Sequence, residues 1–314
     1  MRLVLTLFVV AAAVALAEGP LEVRPGSRPL PDATGDAGPS MLRASVNWVR
    51  VPVHVSDESG APYTGLARTD FQLLEDGVAQ EIRHASVEET PVSIGIVFDA
   101  SSSMKEKLAD SRTALRALFQ YALPGDEYSL IEFGNEPRLA EPFTAEAADI
   151  ERAAAKIQLS TWTALYDAVY LGVSQARRAT NPRKALLVLS DGGDNNSRYS
   201  EGELRRYLQE ADVAVYSIAI RSSARHAALL RRLSEATGGV SVEVREVNAL
   251  GAAVAQISRL LRSEYVLDYV SNQTTSQTAR ERDGLYRRVE VRLAPQAPRD
   301  LHLSWRRGYY PPND

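Results

Sequence analysis

Residues 94–104 read Ile-Gly-Ile-Val-Phe-Asp-Ala-Ser-Ser-Ser-Met, an apolar run that ends in Asp99, Ser101 and Ser103. A continuous apolar run of this length predicts a strand that is buried on both faces, as in parallel sheets. The polar residues then lie together at the carboxyl end of that strand. A carboxylate and hydroxyls are hard oxygen ligands of the kind that suit Mg²⁺, Mn²⁺ or Ca²⁺. The stretch therefore predicts an α/β sheet with a metal-binding edge.

Apolar runs and helical stretches alternate on the carboxyl side of this segment, which predicts a doubly wound, mainly parallel α/β sheet of the Rossmann-like class. The segment 137–144 follows its preceding strand after a tight connection, so we expect one antiparallel edge strand. Strands are predicted at 92–98, 128–133, 137–144, 185–190, 213–220 and 240–244. Helices are predicted at 105–122, 146–158, 164–179, 201–211, 224–236 and 247–262.

Alternating β patterns lie on both sides of this α/β segment. They occur within residues 41–90 and again within 264–314. The carboxyl-terminal strands have too little surface to fold alone. We therefore expect them to pair with 41–90 in a small β-sandwich-like unit, with the α/β domain, residues 91–263, inserted between its halves.

The amino terminus has the features of an export signal. A basic residue precedes an apolar run that closes with Ala-Leu-Ala at positions 15–17, as a secretory signal peptide does. An uncleaved anchor is the alternative. Residues 18–40 are rich in Pro, Gly and Ala and are expected to form a flexible linker. We expect an exported protein, periplasmic, at the cell surface or secreted, with no transmembrane segment beyond the signal peptide.

The composition excludes several classes of function. The chain has 314 residues, a net charge of −4 and no basic block, which argues against nucleic acid as a partner. It contains no cysteine, so disulfides are excluded. Its four histidines have no ligand spacing, which argues against a zinc site or a histidine-based catalytic centre.

Two further loops are expected at the same edge of the sheet as Asp99. Thr163 precedes a predicted helix, at the position of its N-cap, and Asp191 follows the apolar run 185–190. Because the carboxyl ends of parallel strands meet at one edge, these loops should converge with the first. Together they offer two carboxylates and three hydroxyls, from Asp99, Ser101, Ser103, Thr163 and Asp191.

In these positions the chain resembles the von Willebrand factor type A family, whose metal-ion-dependent adhesion site has the pattern Asp-x-Ser-x-Ser, then Thr, then Asp. The resemblance covers residues 92–262. The chain is similar in particular to a bacterial exported branch of the family. Two segments carry this similarity: Gly-Leu-x-x-x-Asp-Phe-x-x-x-Glu-Asp-Gly at 65–77 and Arg-Arg-Gly-Tyr-Tyr at 306–310. The family usually has Gly between the two serines, where this chain has Ser102, and we expect Ser102 to stiffen or slightly strain the loop.

The resemblance implies that Asp99, Ser101, Ser103, Thr163 and Asp191 hold Mg²⁺, or Mn²⁺ or Ca²⁺, and that the ion engages a Glu or Asp of a partner protein. It implies a binding module and not an enzyme. A structural scaffold with an empty or purely stabilising site is one alternative. A metal-dependent hydrolase is less favoured, because no general base lies in these loops.

Overall fold

The computed structural model describes residues 48–272 and 286–311, all within one compact unit, Ser45–Asp314. The predicted signal peptide and linker lie outside the described residues. The elements in chain order are β1 (Trp48–Ser56), β2 (Phe71–Glu75), β3 (Val78–Gln80), β4 (Ile82–Val87), β5 (Val92–Asp99), α1 (Leu108–Phe119), β6 (Glu127–Phe133), β7 (Pro137–Thr144), α2 (Ala147–Ala155), α3 (Leu165–Ala176), β8 (Arg183–Ser190), α4 (Glu201–Glu210), β9 (Ala214–Ile220), α5 (Ala224–Ala236), β10 (Ser241–Val244), α6 (Leu250–Arg262), β11 (Tyr265–Val270), β12 (Arg287–Leu293), β13 (His302–Trp305) and β14 (Gly308–Tyr309).

The predicted α/β sheet is confirmed. Its strand order is β10-β9-β8-β5-β6-β7, and β7 alone runs antiparallel. Every residue of β5 is buried, as its unbroken apolar run requires. After β5 the chain first extends the sheet toward β6 and then crosses to β8 on the other side. The carboxyl end of β5 is therefore a point where the strand order reverses, and open sheets bind ligands at such points.

Helices cover both faces of this sheet. One face carries α1, α2 and α6 over Ile94, Ile96 and Phe98. The other carries α3, α4 and α5 over Val97, Leu186 and Val188. Adjacent side chains of a strand point to opposite faces, so β5 contributes to both cores.

The amino- and carboxyl-terminal strands form two antiparallel sheets, as predicted. Their orders are β13-β1-β11-β4 and β14-β12-β2-β3, so each sheet mixes strands from both ends of the chain. Val51 and Val53 of the first sheet and Leu73 and Val291 of the second belong to one apolar core. This shared core makes the two sheets a β-sandwich.

Helix ends differ from the predictions by a few residues, which is usual. At α1 the predicted and observed first residues differ for a structural reason. We expected it to begin at Lys105, but a 3₁₀ turn over Ser102–Met104 comes first and α1 begins at Leu108. No helix in the described ranges combines the length and apolar character that crossing a membrane requires.

Candidate metal centre

The Asp99 carboxylate is fully buried at the end of β5 and is held by two hydrogen bonds. Its Oδ1 accepts from the Ser101 backbone N–H at 2.8 Å, and its Oδ2 accepts from Ser190 Oγ at 2.5 Å. Ser190 is the last residue of β8, and its Oγ also accepts from the Gly192 N–H at 2.8 Å. These bonds fix the carboxylate and join the first and third loops.

The hydroxyls of Ser101 and Ser103 face each other, with their Oγ atoms 3.0 Å apart. Ser101 is buried, whereas Ser103 is exposed. The loop therefore runs from the buried Asp99 and Ser101 to the exposed Ser103.

Burial raises the pKa of Asp99 to about 6. Hydrogen bonds from Ser101 and Ser190 oppose this shift, and the negative charge of Asp191 adds to it. Ser190, which bonds Asp99 and directly precedes Asp191, brings the two carboxylates to the same edge of the sheet. A buried carboxylate with a second one beside it attracts a cation.

Thr163 is buried in the second loop, and its backbone is joined to the third loop. Its N–H donates to Asn195 Oδ1 at 2.9 Å, and its carbonyl accepts from the N–H groups of Asn195 and Asn196. The second loop also contacts the first, because the Ser160 N–H donates to the Ala100 carbonyl at 2.8 Å. The three loops thus converge as expected, although the second loop joins α2 to α3 and does not follow a strand.

The expectation that Thr163 is the N-cap of the following helix is wrong. The N-cap of α3 is Ala164, and its side chain makes no capping bond. The third loop caps α3 instead: Asp194 Oδ2 accepts from the Tyr166 N–H at 3.1 Å, and Ser197 Oγ accepts from the Asp167 N–H at 3.2 Å. Because capping comes from another segment, the Thr163 hydroxyl is not committed to α3.

The expectation of strain at Ser102 is also wrong. Ser102 lies in the 3₁₀ turn and is not among the described residues with positive φ. A turn with negative φ is open to any residue, so glycine has no advantage there. Gly192, by contrast, has φ +80, and a Cβ there would lie 2.9 Å from the His226 carbonyl oxygen. Glycine is needed after Asp191 and not between the serines.

Three residues near the site are not singled out by sequence reasoning. Ser190 holds Asp99, and its position directly before Asp191 is a signal that could have drawn attention to it. Lys107 places Nζ 3.0 Å from Asp191 Oδ2. The third is His226, because a Cβ on Gly193 would lie 3.5 Å from its ring. A histidine of α5 therefore lies beside the third loop, although no histidine occurs in the loop sequences.

The donor set fits a hard divalent ion. It consists of carboxylate and hydroxyl oxygens, with two carboxylates at most, and this is the ligand chemistry of Mg²⁺, Mn²⁺ or Ca²⁺. Within residues 48–272 and 286–311, no group of three or more His, Cys, Asp or Glu side chains is arranged to hold a metal.

Comparison with known proteins identifies the α/β region. Residues 94–193 match the family model of the von Willebrand factor type A domain. Residues 94–193 are therefore a von Willebrand factor type A (VWA) segment. No curated protein matches the chain. The matched residues include Asp99, Ser101, Ser103, Thr163 and Asp191.

Solved structures similar to the chain include other VWA proteins. A von Willebrand factor type A protein from Catenulispora acidiphila has a TM-score of 0.50 at 12% identity, with 83% of this chain and 73% of that chain covered. Proximal thread matrix protein 1 from the mussel byssus, with a zinc-occupied MIDAS motif, has a TM-score of 0.45 at 18% identity, with 59% and 49% covered. The chain thus spans about half of the mussel protein. At these identities the likeness concerns the fold alone.

Proposed function

We propose that the chain is an exported, non-enzymatic protein-binding module. In this proposal Asp99, Ser101, Ser103, Thr163 and Asp191 hold a divalent ion, Mg²⁺ in the first instance, and the ion engages a Glu or Asp of a partner protein. The observation that carries the proposal is the buried, doubly hydrogen-bonded Asp99, followed in the same loop by the Ser101 and Ser103 hydroxyls 3.0 Å apart. Export rests on the amino-terminal sequence pattern alone.

Exposed apolar side chains of the second loop support a docking role. Trp162, in the second loop, is 51% exposed, and Leu159 before it is 38% exposed. Apolar side chains at the rim of a polar centre provide contact area to a partner whose carboxylate reaches the ion. We propose that the partner presents an acidic residue flanked by apolar ones.

One observation favours the scaffold alternative. The ammonium of Lys107 lies 3.0 Å from Asp191 Oδ2, so this carboxylate has a counter-charge without a metal ion. A scaffold would fold and function with the site in this form, whereas a metal-dependent binding module would not bind its partner without the ion.

Metal titration by calorimetry separates these possibilities. We expect the full chain to bind Mg²⁺ or Mn²⁺, and Asp99→Asn and Thr163→Val to lose most of that binding while keeping the thermal unfolding transition. Thr161→Val is the matched control, because Thr161 is exposed two residues away. Wild-type affinity in both site variants would show that these residues are not ligands.

Partner capture then tests the function itself. The immobilised chain should retain a protein from envelope or medium fractions in Mg²⁺ and release it in EDTA, and Asp99→Asn should retain none. Capture that is equally strong in EDTA and with Asp99→Asn would favour the scaffold.

A further inference from the structure

Lys107 is a buried lysine that spans two loops of the metal centre. It is 7% exposed, and its Nζ lies 3.0 Å from Asp191 Oδ2. Its backbone is fixed at both sides, because its N–H donates to the Met104 carbonyl at 2.8 Å and its carbonyl accepts from the Ser111 N–H at 2.9 Å. The 3₁₀ turn before α1 and the start of α1 therefore direct this side chain back to the third loop.

The negative charges of Asp99 and Asp191 are only partly balanced by Lys107. Asp99 and Asp191 carry two negative charges when ionised, and Lys107 supplies one positive charge. In the part of the chain that the structure describes, Lys107 is the cationic side chain bonded to Asp191, and no cationic side chain is bonded to Asp99. The residual negative charge attracts a cation, but the ammonium paired with Asp191 would repel one.

We infer that Lys107 is a resident cation that competes with the divalent ion for Asp191 and sets the metal affinity of the site. The inference rests on the proposed metal site. Without metal, the ammonium compensates Asp191 and joins the first loop to the third. If the ion takes Asp191 Oδ2, directly or through water, Lys107 would withdraw from that oxygen. The cost of that withdrawal lowers the affinity.

The competition predicts opposite effects of removing the ammonium on the stability of the metal-free protein and on the affinity for the ion. Removing the ammonium leaves a carboxylate without its partner, so the metal-free protein becomes less stable. The same change removes the competitor, so the ion binds more tightly. A lysine that merely supports the loops would have the first effect without the second, because a loosened site would bind the ion more weakly.

The test compares Mn²⁺ affinity and thermal stability for the full chain, Lys107→Met and Lys107→Gln. Calorimetry should give a dissociation constant at least about tenfold lower for both variants, within the usual range of a coupling between two sites. Their unfolding midpoint in EDTA should be lower than that of the wild type. Lys107→Gln retains a hydrogen-bond donor toward Asp191, which keeps the test valid if Lys107→Met does not fold. Lys105→Met is the matched control, because Lys105 is exposed in the same loop and should change neither quantity.

The outcomes are distinguishable. Equal or weaker Mn²⁺ binding by folded Lys107→Gln, with clear binding by the wild type, overturns the competition and leaves the metal site standing. Absence of Mn²⁺ binding by every protein, Lys105→Met included, overturns the metal site and the competition with it. Tighter binding by both Lys107 variants and unchanged binding by Lys105→Met supports the inference.

Discussion

At the scale of single residues, the candidate centre is organised by groups that are not themselves proposed ligands. Ser190 donates to Asp99 Oδ2 at 2.5 Å and accepts from the Gly192 N–H at 2.8 Å. One hydroxyl thus orients the buried carboxylate and the turn that carries Asp191. Partners of this kind hold ligands in place before the metal arrives, and their loss commonly costs about 10- to 100-fold in affinity.

Ser190→Ala should therefore weaken Mn²⁺ binding by about 10- to 100-fold, although Ser190 is not a proposed ligand. Calorimetry measures the affinity, and thermal unfolding shows whether the variant is folded. Ser102→Ala is the control, because Ser102 is exposed and its Oγ makes only a 3.4 Å contact with the Thr161 carbonyl. Unchanged affinity in Ser190→Ala would mean that Asp99 is held by the Ser101 N–H alone.

At the scale of elements, a buried polar cluster joins the β-sandwich to the VWA domain. Glu264 lies between α6 and β11, and its carboxylate contacts His54 Nε2 of β1 at 3.2 Å and Arg183 Nε of β8 at 2.7 Å. His54 Nε2 also lies 2.5 Å from the hydroxyl of Tyr216 in β9. One residue therefore ties the end of α6 to both sheets that meet there.

Glu264 gives a prediction about pH. Burial raises the pKa of Glu264, but hydrogen bonds and charges from His54 and Arg183 lower it more, so the net shift is downward. A carboxyl whose folded pKa lies below its unfolded value of 4.5 contributes stability above that pH and loses it as the pH falls through the folded pKa. We expect the free energy of unfolding, measured with urea, to decrease below pH 4.5.

Glu264→Gln should lower the free energy of unfolding at pH 7 by about 3 kcal/mol, because it leaves a buried guanidinium without its counter-charge. The variant should also lose less stability than the wild type between pH 5 and 3. Glu81→Gln is the control, since Glu81 pairs with Arg83 on the surface and should change the pH dependence little. Parallel pH curves for the wild type and Glu264→Gln would contradict the assignment.

At the scale of the whole molecule, the β-sandwich depends on both ends of the chain. Both neighbours of β1 in its sheet, β11 and β13, come from the carboxyl-terminal part. β4 pairs with β11, and β2 pairs with β12. The inserted VWA domain has helices on both faces and its own two cores. We propose the boundaries 41–90, 91–263 and 264–314 for these parts.

A chain that ends at Ser263 should therefore be less soluble than the shorter segment 91–263. The truncation removes both partners of β1 and exposes Val51, Val53 and Val55, which are now buried in the sandwich core. Segment 91–263 lacks these strands and should fold and bind Mn²⁺ by itself. Size-exclusion chromatography and thermal unfolding check both products. A monomeric, cooperatively unfolding 1–263 chain would contradict the shared sandwich.

The order of strands and helices and the family of the α/β region follow from the sequence alone. Apolar runs and helical periodicity are local, and each reports burial of its own segment. The residue types of the candidate site are likewise local, since Asp99, Ser101 and Ser103 occupy one loop. The helix starts are less well predicted where a neighbouring segment intervenes, as at α1, where the 3₁₀ turn over Ser102–Met104 displaces the first turn of the helix.

Only the tertiary structure decides which distant groups meet. Lys107 and Asp191 are 84 residues apart, and Ser190 and Asp99 are 91 apart. Other contacts likewise join residues that are distant in the sequence: the capping of α3 by Asp194, the contact of His226 with the third loop, and the contacts of Glu264. Each pair is brought together by the crossover connections of the sheet, which local patterns do not specify. The sequence thus determined which side-chain oxygen atoms lie at this edge of the sheet. The tertiary structure decided that Lys107 contacts one of them, because it brings α1 and the third loop together.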